Sequence, residues 1–460
     1  MSRGTKRGTR VALALAVLLA LASATPAVGT ATIDDRPATQ TTTEQQTTEQ
    51  QTTEADGDQS DDESSDQSVA IETEGFDPDY DPATVLNRVE KLRGRSALQG
   101  ITLHEYDDEA GEPYDVRDEF AAIRPAGAET LQLYSNASTE RRQPLGYTVE
   151  RQAAVHIYLL NDSDLEDYGV SQEVVLAHEF VHALQFQHEL LTPSRTQFRS
   201  QFPRWTTDSR LVTTAMVEGD AMWVTEQYVR RYGDGDYSVT EYNRTLARAA
   251  WPHSVAGTPY YYGYEFYEAA GSSPAERSAA IEGPPNSTAE LLHPTEPRAN
   301  VPVPDAPEIP DSEKLTRYHT DTVGELVIRH SLRMNGLSFQ RAADAADGWA
   351  ADRMYYYAAA GAAGPATHWV TAWEDEREAR EFAAAWRSML DARGARSAGD
   401  TVFVPASDHA SGIHYVVSRE GATVRITAAE MADTAERLAA VTDSAASSED
   451  DAAEPNESDP

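Results

Sequence analysis

The most constraining feature of the sequence is an uncharged, mostly apolar stretch that carries two histidines and one glutamate, Val174–Leu184. His178 and His182 are four positions apart, so on a helix they project from one face, separated by about one turn of 5.4 Å. Both imidazoles can then reach a single ion. The apolar flanks and the preceding strand pattern at Val155–Leu160 favour a metal site over the alternative, an ordinary helix with two surface histidines.

Glu179, directly after the first histidine, is the expected general base. A carboxylate at this position can take a proton from a metal-bound water and pass it to a leaving amine. The chain contains no cysteine, so its metal ligands must be histidines and carboxylates. Zinc suits such ligands and keeps a fourth position open. The bare pattern H-E-x-x-H also arises by chance, so the interpretation depends on a third ligand.

Glu218 is the expected third ligand, 36 positions after His182. It lies on a second predicted helix that begins near Thr207 or Asp208 and ends at Gly233. Small neighbours should let this helix approach the first one closely; these are Ala215, Gly219 and Ala221. The alternative is that Glu218 is a solvated surface carboxylate.

Two other residues near the motif have weaker or open roles. His188 lies six positions beyond His182, on a different helical face, and is a poor alternative ligand. Thermolysin-like enzymes place an aspartate four residues after the ligand glutamate, where it orients a histidine. Here that position is Met222, and Asp220 lies about 200° round the helix from Glu218, so no orienting residue is assigned.

Five blocks of the sequence form a recognisable combination: His178–Gln185, Glu218–Ala221, Pro259–Gly263, Pro284–Pro294 and Gly348–Arg353. Together they resemble a group of exported zincin-like proteins from bacteria and halophilic archaea, where they are described as surface proteins. The resemblance extends over roughly residues 85 to 390. It implies a gluzincin-like core with zinc ligands His178, His182 and Glu218, and it implies no particular substrate.

A tyrosine or histidine commonly stabilises the oxyanion in zincins. Tyr260, in the block Pro259–Gly263, is the first choice, and His293 is the second. The competing interpretation is that the tyrosines between 260 and 267 simply pack a helix with their polar ends outward.

The charge is the second informative property of the chain, at −38 with only three lysines. This balance is typical of halophilic proteins, and it disfavours nucleic acid and anionic membranes as partners. In molar salt the Debye length falls to about 3 Å, which screens the self-repulsion. We therefore expect loss of structure at low ionic strength.

The ends of the chain predict export. Residues 1–31 resemble a signal peptide, with basic residues, an apolar run, and cleavage sites after Ala24 or Ala31. The alternative is an uncleaved N-terminal membrane anchor. Residues 32–80 are expected to form a disordered stalk and residues 443–460 an acidic disordered tail. The protein should therefore be extracellular or at the cell surface.

The expected fold class is α+β, because predicted helices and strands are interspersed without regular alternation. A zincin-like core with an active-site helix and a second ligand-bearing helix should span residues 81–300. A smaller C-terminal α+β region should span residues 301–442. The active-site helix should begin after Ser171 and end near Leu191, while other helices are predicted at 321–346 and 374–393, and strands at 401–404, 413–418 and 422–427.

The sequence as a whole predicts an exported zinc metallopeptidase of the gluzincin type that hydrolyses a peptide or protein substrate. An extended peptide is expected to pair with the strand at 155–160. The principal alternative is a non-catalytic structural or adhesive surface protein with a zincin-like core. Hydrolysis of a non-peptide amide or ester is a third possibility. Specificity, endo- or exopeptidase action and oligomeric state stay open.

Overall fold

The computed structural model describes residues 17–19, 69–106, 127–133, 144–151, 154–165, 169–193, 206–233, 238–241, 244, 253–298, 301–303, 315–359, 364, 366–407 and 411–440. Helices and two sheets build this part of the chain, which confirms the predicted α+β class. No helix in these ranges combines the length and the apolar character needed to cross a membrane.

The first sheet has five strands in the order β1-β4-β5-β3-β2, with β4 antiparallel to β5 and the other pairings parallel. The central strand, β5, alternates so that Val155, Ile157 and Leu159 are buried in the first hydrophobic core. The five strands are β1 (Val17–Leu19), β2 (Ile71–Glu74), β3 (Ile101–Tyr106), β4 (Gly146–Arg151) and β5 (Ala154–Leu160).

Strand β2 corrects the predicted start of the folded region. Ile71–Glu74 pair with β3, so the fold begins before Asp81, inside the expected stalk. The rest of that stalk, residues 32–68, lies outside the described residues, as does the expected tail. Within the expected signal peptide only Val17–Leu19 are described, and their backbone pairs in parallel with Gly146–Thr148.

Helices cover the inner face of this sheet and form the first core with it. The helix that carries the two histidines begins at the predicted cap, where Ser171 accepts a hydrogen bond from the Val174 amide. It ends at Gln187, four residues before the predicted end. The helices are α1 (Pro82–Arg93), α2 (Asp162–Leu165), α3 (Gln172–Gln187), α4 (Thr207–Tyr232), α5 (His253–Ala270), α6 (Pro274–Glu282) and α7 (Thr288–Leu292).

Helices α4 and α5 cross with their backbones in direct contact at Gly219 and Gly263. A Cβ atom on Gly219 would lie 2.3 Å from the carbonyl carbon of Gly263, and a Cβ on Gly263 would lie 2.2 Å from the Ala215 oxygen. Only glycine fits at these two positions. Ala215 and Gly219 therefore serve the approach of α4 to α5, and their expected part in the approach to α3 stays a prediction.

The second sheet is antiparallel throughout, in the order β6-β7-β8-β12-β11-β10-β9. Its core is built around Trp369, Trp373, Phe382 and Trp386. Its strands are β6 (Leu315–Asp321), β7 (Trp349–Ala359), β8 (Ala366–Trp373), β9 (Arg396–Ala398), β10 (Thr401–Val404), β11 (Ile413–Glu420) and β12 (Thr423–Ala429), and its helices are α8 (Glu325–Met334), α9 (Phe339–Asp344) and α10 (Glu376–Ala392).

The second region agrees with the predictions in its last third and differs before it. The strands predicted at 401–404, 413–418 and 422–427 and the helix predicted at 374–393 are confirmed within two residues at each end. The helix predicted at 321–346 is wrong in its extent. Gly336, with φ of 105°, breaks it into α8 and α9, and its first residue belongs to β6.

The two regions meet at the first turn of α4. The amide and hydroxyl of Thr207 donate to the Asp321 carboxylate at 2.8 and 2.6 Å. Asp208 Oδ1 accepts from the Thr288 amide at 3.0 Å. Asp352 on β7 in turn accepts from the amides of Val323 and Gly324 at 2.9 and 2.8 Å. The second sheet therefore fixes the start of the helix that bears Glu218.

Candidate metal centre

The three predicted ligands come together in the first core. His178 and His182 lie one turn apart on α3, and Glu218 faces them from α4; their exposed fractions are 0%, 0% and 2%. The Nε2 atoms of the two histidines are 3.1 Å apart. Glu218 Oε2 lies 3.5 Å from His178 Nε2 and 3.4 Å from His182 Nε2. One atom from each residue therefore forms a small triangle.

This triangle has the size that zinc requires. Bonds of about 2.0–2.1 Å in a tetrahedral site separate neighbouring ligand atoms by about 3.3–3.4 Å. The three observed separations, 3.1, 3.4 and 3.5 Å, bracket that value. The donor set of two imidazoles and one carboxylate fits a tetrahedral ion with one position left over.

The hydrogen bond on the far side of His178 indicates which ring nitrogen faces the triangle. His178 Nδ1 lies 3.2 Å from Thr225 Oγ1, and the Thr225 hydroxyl donates to the Ala221 carbonyl at 2.8 Å. Since the hydroxyl proton is already used, Thr225 accepts and His178 Nδ1 donates. The Nε2 lone pair of a neutral His178 therefore points at the shared space.

The same reasoning applies to His182. Its Nδ1 lies 2.8 Å from Gln185 Oε1. The amide nitrogen of Gln185 donates to the Val217 carbonyl at 2.9 Å and to Asp220 Oδ2 at 3.1 Å. Because both of these partners on α4 can only accept, the NH₂ group of Gln185 must face them. The Gln185 oxygen therefore faces His182 and accepts a hydrogen bond from its Nδ1. Two imidazole lone pairs and a carboxylate oxygen thus converge where water is excluded.

Such a convergence of acceptors requires a cation. Burial lowers the pKa of His178 to about 4, so this ring is neutral. Burial also lowers the pKa of His182, but the Glu218 carboxylate and the Gln185 hydrogen bond outweigh it and raise the pKa to about 9. Burial raises the pKa of Glu218, while the two histidines hold it below its usual range. A proton on His182 or a metal ion at the triangle satisfies these charges.

Glu179 lies beside the triangle and against β4. Its Oε2 accepts from Thr148 Oγ1 at 2.7 Å, and a Cβ atom on Gly146 would lie 2.8 Å from its Oε1. Among the described residues Oε1 has no hydrogen-bond partner. Burial raises the pKa of Glu179 to about 7, against the opposing effects of His182 and Thr148. The carboxyl is therefore poised between acid and base near neutral pH.

The other predicted site residues have different surroundings. Tyr260 is buried in the first core, 6% exposed, and its proposed contact with an oxyanion stays a prediction. His188 caps α3 and contacts the Ser96 carbonyl at 2.8 Å, so it is not a ligand. His293 belongs to a separate cluster with Glu325, where Arg329 Nη2 lies 2.9 Å from His293 Nε2. The Arg329 guanidinium is the cation that balances the Glu325 carboxylate in that cluster.

Three residues at the site were not predicted: Gln185, Thr225 and Thr148. Gln185 follows His182 by three positions on the same helix, so its contact with the ring was detectable from spacing. Thr225 and Thr148 belong to α4 and β4, and their contacts depend on how these elements pack against α3.

Comparison with known protein families finds a match in the second region of the chain. A family model described as a domain of unknown function (DUF8575) matches residues 313–454, just under a third of the chain. The match covers the second sheet and its helices, and it includes none of the three candidate metal ligands. No curated protein and no solved structure matches the chain.

Proposed function

We propose that the chain is an exported zinc-dependent peptidase of the gluzincin type, with a zincin-like core that acts outside the cell or at its surface. The observation that carries the proposal is the triangle of His178, His182 and Glu218, whose edges of 3.1, 3.4 and 3.5 Å match a tetrahedral zinc site. The adjacent Glu179 adds the proton-accepting group that hydrolysis needs.

Each side chain has a distinct part in this proposal. A bound zinc ion would supply a Lewis acid that polarises a carbonyl and lowers the pKa of water. Glu179 Oε1, which has no hydrogen-bond partner in the described residues, is the oxygen that would accept the water proton. Thr148 donates to the other carboxylate oxygen and holds the group in place. Glu179 then returns the proton to the leaving amine.

Strand β4 is the favoured place for an extended substrate. The predicted pairing with β5 is wrong, because β5 is bonded to β3 on one side and β4 on the other. β4 carries Gly146 and Thr148, which contact Glu179. Its outer edge is paired with Val17–Leu19. Removal of the expected signal peptide would free that edge for a peptide to add as a strand.

A second candidate function is a structural metal site in a non-catalytic surface protein. The observation in its favour is burial, since Glu179 and both histidines have exposed fractions of 0%. A catalytic centre must admit substrate, whereas a structural site is closed. Hydrolysis of a non-peptide amide or ester would use the same groups.

The decisive comparison is wild type, Glu179→Gln and Glu173→Gln, each purified in high salt and loaded with zinc. Glu173 lies on the same helix but pairs with Arg88, away from the ligands, and serves as the control. We expect all three proteins to bind one zinc ion, with peptide hydrolysis lost in Glu179→Gln alone. The readouts are metal analysis and cleavage of a mixed peptide library.

The other outcomes separate the two candidates. Zinc binding by all three proteins with no cleavage by any of them would favour the structural site. Absence of zinc from the wild-type protein would overturn both candidates.

A further inference from the structure

We propose that Gln185 is a positioning residue for the metal centre, held by Asp220 and Arg93, and that it sets the tautomer of His182 and the spacing between the two ligand helices. The inference rests on the proposed metal site and not on any particular substrate. It fills the orienting role that the sequence left open between Met222 and Asp220.

The first step concerns the direction of the Gln185 amide. Its nitrogen faces two acceptors on α4, the Val217 carbonyl at 2.9 Å and Asp220 Oδ2 at 3.1 Å. A flipped amide would place its oxygen against both and lose both hydrogen bonds inside the core. Gln185 is 0% exposed, so water cannot replace them. The oxygen is therefore fixed toward His182 Nδ1.

The second step concerns Asp220, which is buried and paired. Arg93 Nε donates to Asp220 Oδ2 at 2.8 Å, and both side chains are inaccessible to solvent. Arg93 belongs to α1, and its Nη1 also donates to Ser278 Oγ on α6 at 3.1 Å. The ion pair makes Oδ2 a fixed acceptor that cannot turn away from Gln185 without leaving Arg93 unpaired.

The third step concerns distance between the helices. Gln185 lies one turn after His182 on α3, and its two acceptors, Val217 and Asp220, flank Glu218 on α4. The amide therefore joins the helices immediately beside the ligands. The 3.4 Å separation between His182 Nε2 and Glu218 Oε2 depends on that join.

A neutral amide also suits the charge of the site. The triangle already contains one carboxylate, and Asp220 is a second buried carboxylate whose charge Arg93 balances. Gln185 accepts from His182 without adding a third negative charge.

The same helix offers a matched control. Gln172 is also buried on α3, accepts from the Tyr80 hydroxyl at 2.9 Å, and donates to Glu105 and the Leu160 carbonyl, both at 3.1 Å. It has the same side chain, similar burial and the same number of side-chain hydrogen bonds, and none of these bonds goes to the three candidate ligands. A purely structural role predicts equal effects of Gln185→Leu and Gln172→Leu.

The experiment measures metal affinity rather than activity. Metal-free wild type, Gln185→Leu, Gln185→Glu and Gln172→Leu are titrated with Zn²⁺ against a competing chelator in high salt, and the visible spectra of their Co²⁺ forms are recorded. We expect affinity to fall about 10–100-fold in Gln185→Leu, with an altered Co²⁺ spectrum. Gln172→Leu should bind as wild type does. Gln185→Glu keeps an acceptor toward His182 but loses both hydrogen bonds to α4 and adds a buried negative charge, so it should also bind more weakly than wild type.

Wild-type affinity in a folded Gln185→Leu, or an equal loss in Gln172→Leu, would overturn the inference and leave the proposed function intact. If Gln185→Leu fails to fold, Asp220→Asn supplies the test, since it removes the charge that holds the amide. Its affinity should fall, and unchanged affinity would overturn the inference. A wild-type protein that binds no Zn²⁺ would overturn the inference and the proposed function together.

Discussion

Replacement of Gly219 by alanine tests the close crossing of α4 and α5 next to the candidate metal ligand Glu218. The added Cβ would lie 2.3, 2.5 and 2.6 Å from three backbone atoms of Gly263. Backbone atoms cannot rotate away as the end of a side chain can, so one helix must shift by about 1 Å to restore ordinary contact. α4 is itself held against α3 by Gln185.

Two opposing effects determine how much Gly219→Ala changes the free energy of unfolding. Overpacking of a filled core costs about 1–3 kcal/mol, and a rigid backbone contact belongs at the upper end of that range. Alanine gains about 1 kcal/mol over glycine inside a helix. We therefore expect the free energy of unfolding to fall by about 2 kcal/mol in Gly219→Ala.

The assay is denaturation of the metal-free protein by urea at constant high salt, with both midpoint and slope recorded. Gly283→Ala is the control, because a Cβ there would meet nothing closer than the Ala279 oxygen at 3.6 Å. It should change stability by no more than about 0.5 kcal/mol. A Gly219→Ala variant as stable as wild type, or more stable, would show that the two helices do not touch at this point.

Two further predictions concern charge. Burial raises the pKa of Asp208 from its ordinary 3.8 to about 7, so its stabilising effect is complete below pH 4 and is lost as pH rises through 7. The free energy of unfolding of wild type, relative to that of Asp208→Asn, should therefore fall between pH 4 and 7 by up to about 1.4 kcal/mol per pH unit. Urea denaturation at each pH measures it, and a difference that does not change with pH would contradict the prediction. Because the net charge is −38, helical circular dichroism should decline on dialysis into dilute buffer and recover in molar salt; an unchanged spectrum would refute the screening argument.

The placement of the two histidines was predictable because it is local to one helix. The four-residue spacing of His178 and His182 determines their relative placement on any helix, and the structure adds only the confirmation that this helix forms. The approach of Glu218 was a prediction about two helices, and the structure brings the carboxylate to both rings. The role of Thr225 required knowledge of the α3–α4 packing, which spacing along one chain does not contain.

Strand β8 of the second sheet was not predicted from the sequence, for a physical reason. All eight residues of β8 are buried, yet Thr367, His368 and Thr371 interrupt its apolar pattern. His368 is paired with Thr427 at 2.9 Å and Thr371 with the Val424 carbonyl at 3.2 Å, both on β12. A buried polar residue whose hydrogen-bond partner lies far along the chain looks like a surface residue in the sequence. The alternation that identifies a half-buried strand is therefore absent.

The anchoring of α4 by the second sheet has a consequence for how this chain can be divided. A fragment that ends at residue 300 would retain His178, His182 and Glu218 but lose Asp321, the residue that receives the first amide of the ligand helix. It would also uncover the apolar side of Leu211, which belongs to the second core. The smallest fragment that preserves the candidate metal centre therefore includes the second sheet, because that sheet holds the first turn of the helix that carries Glu218.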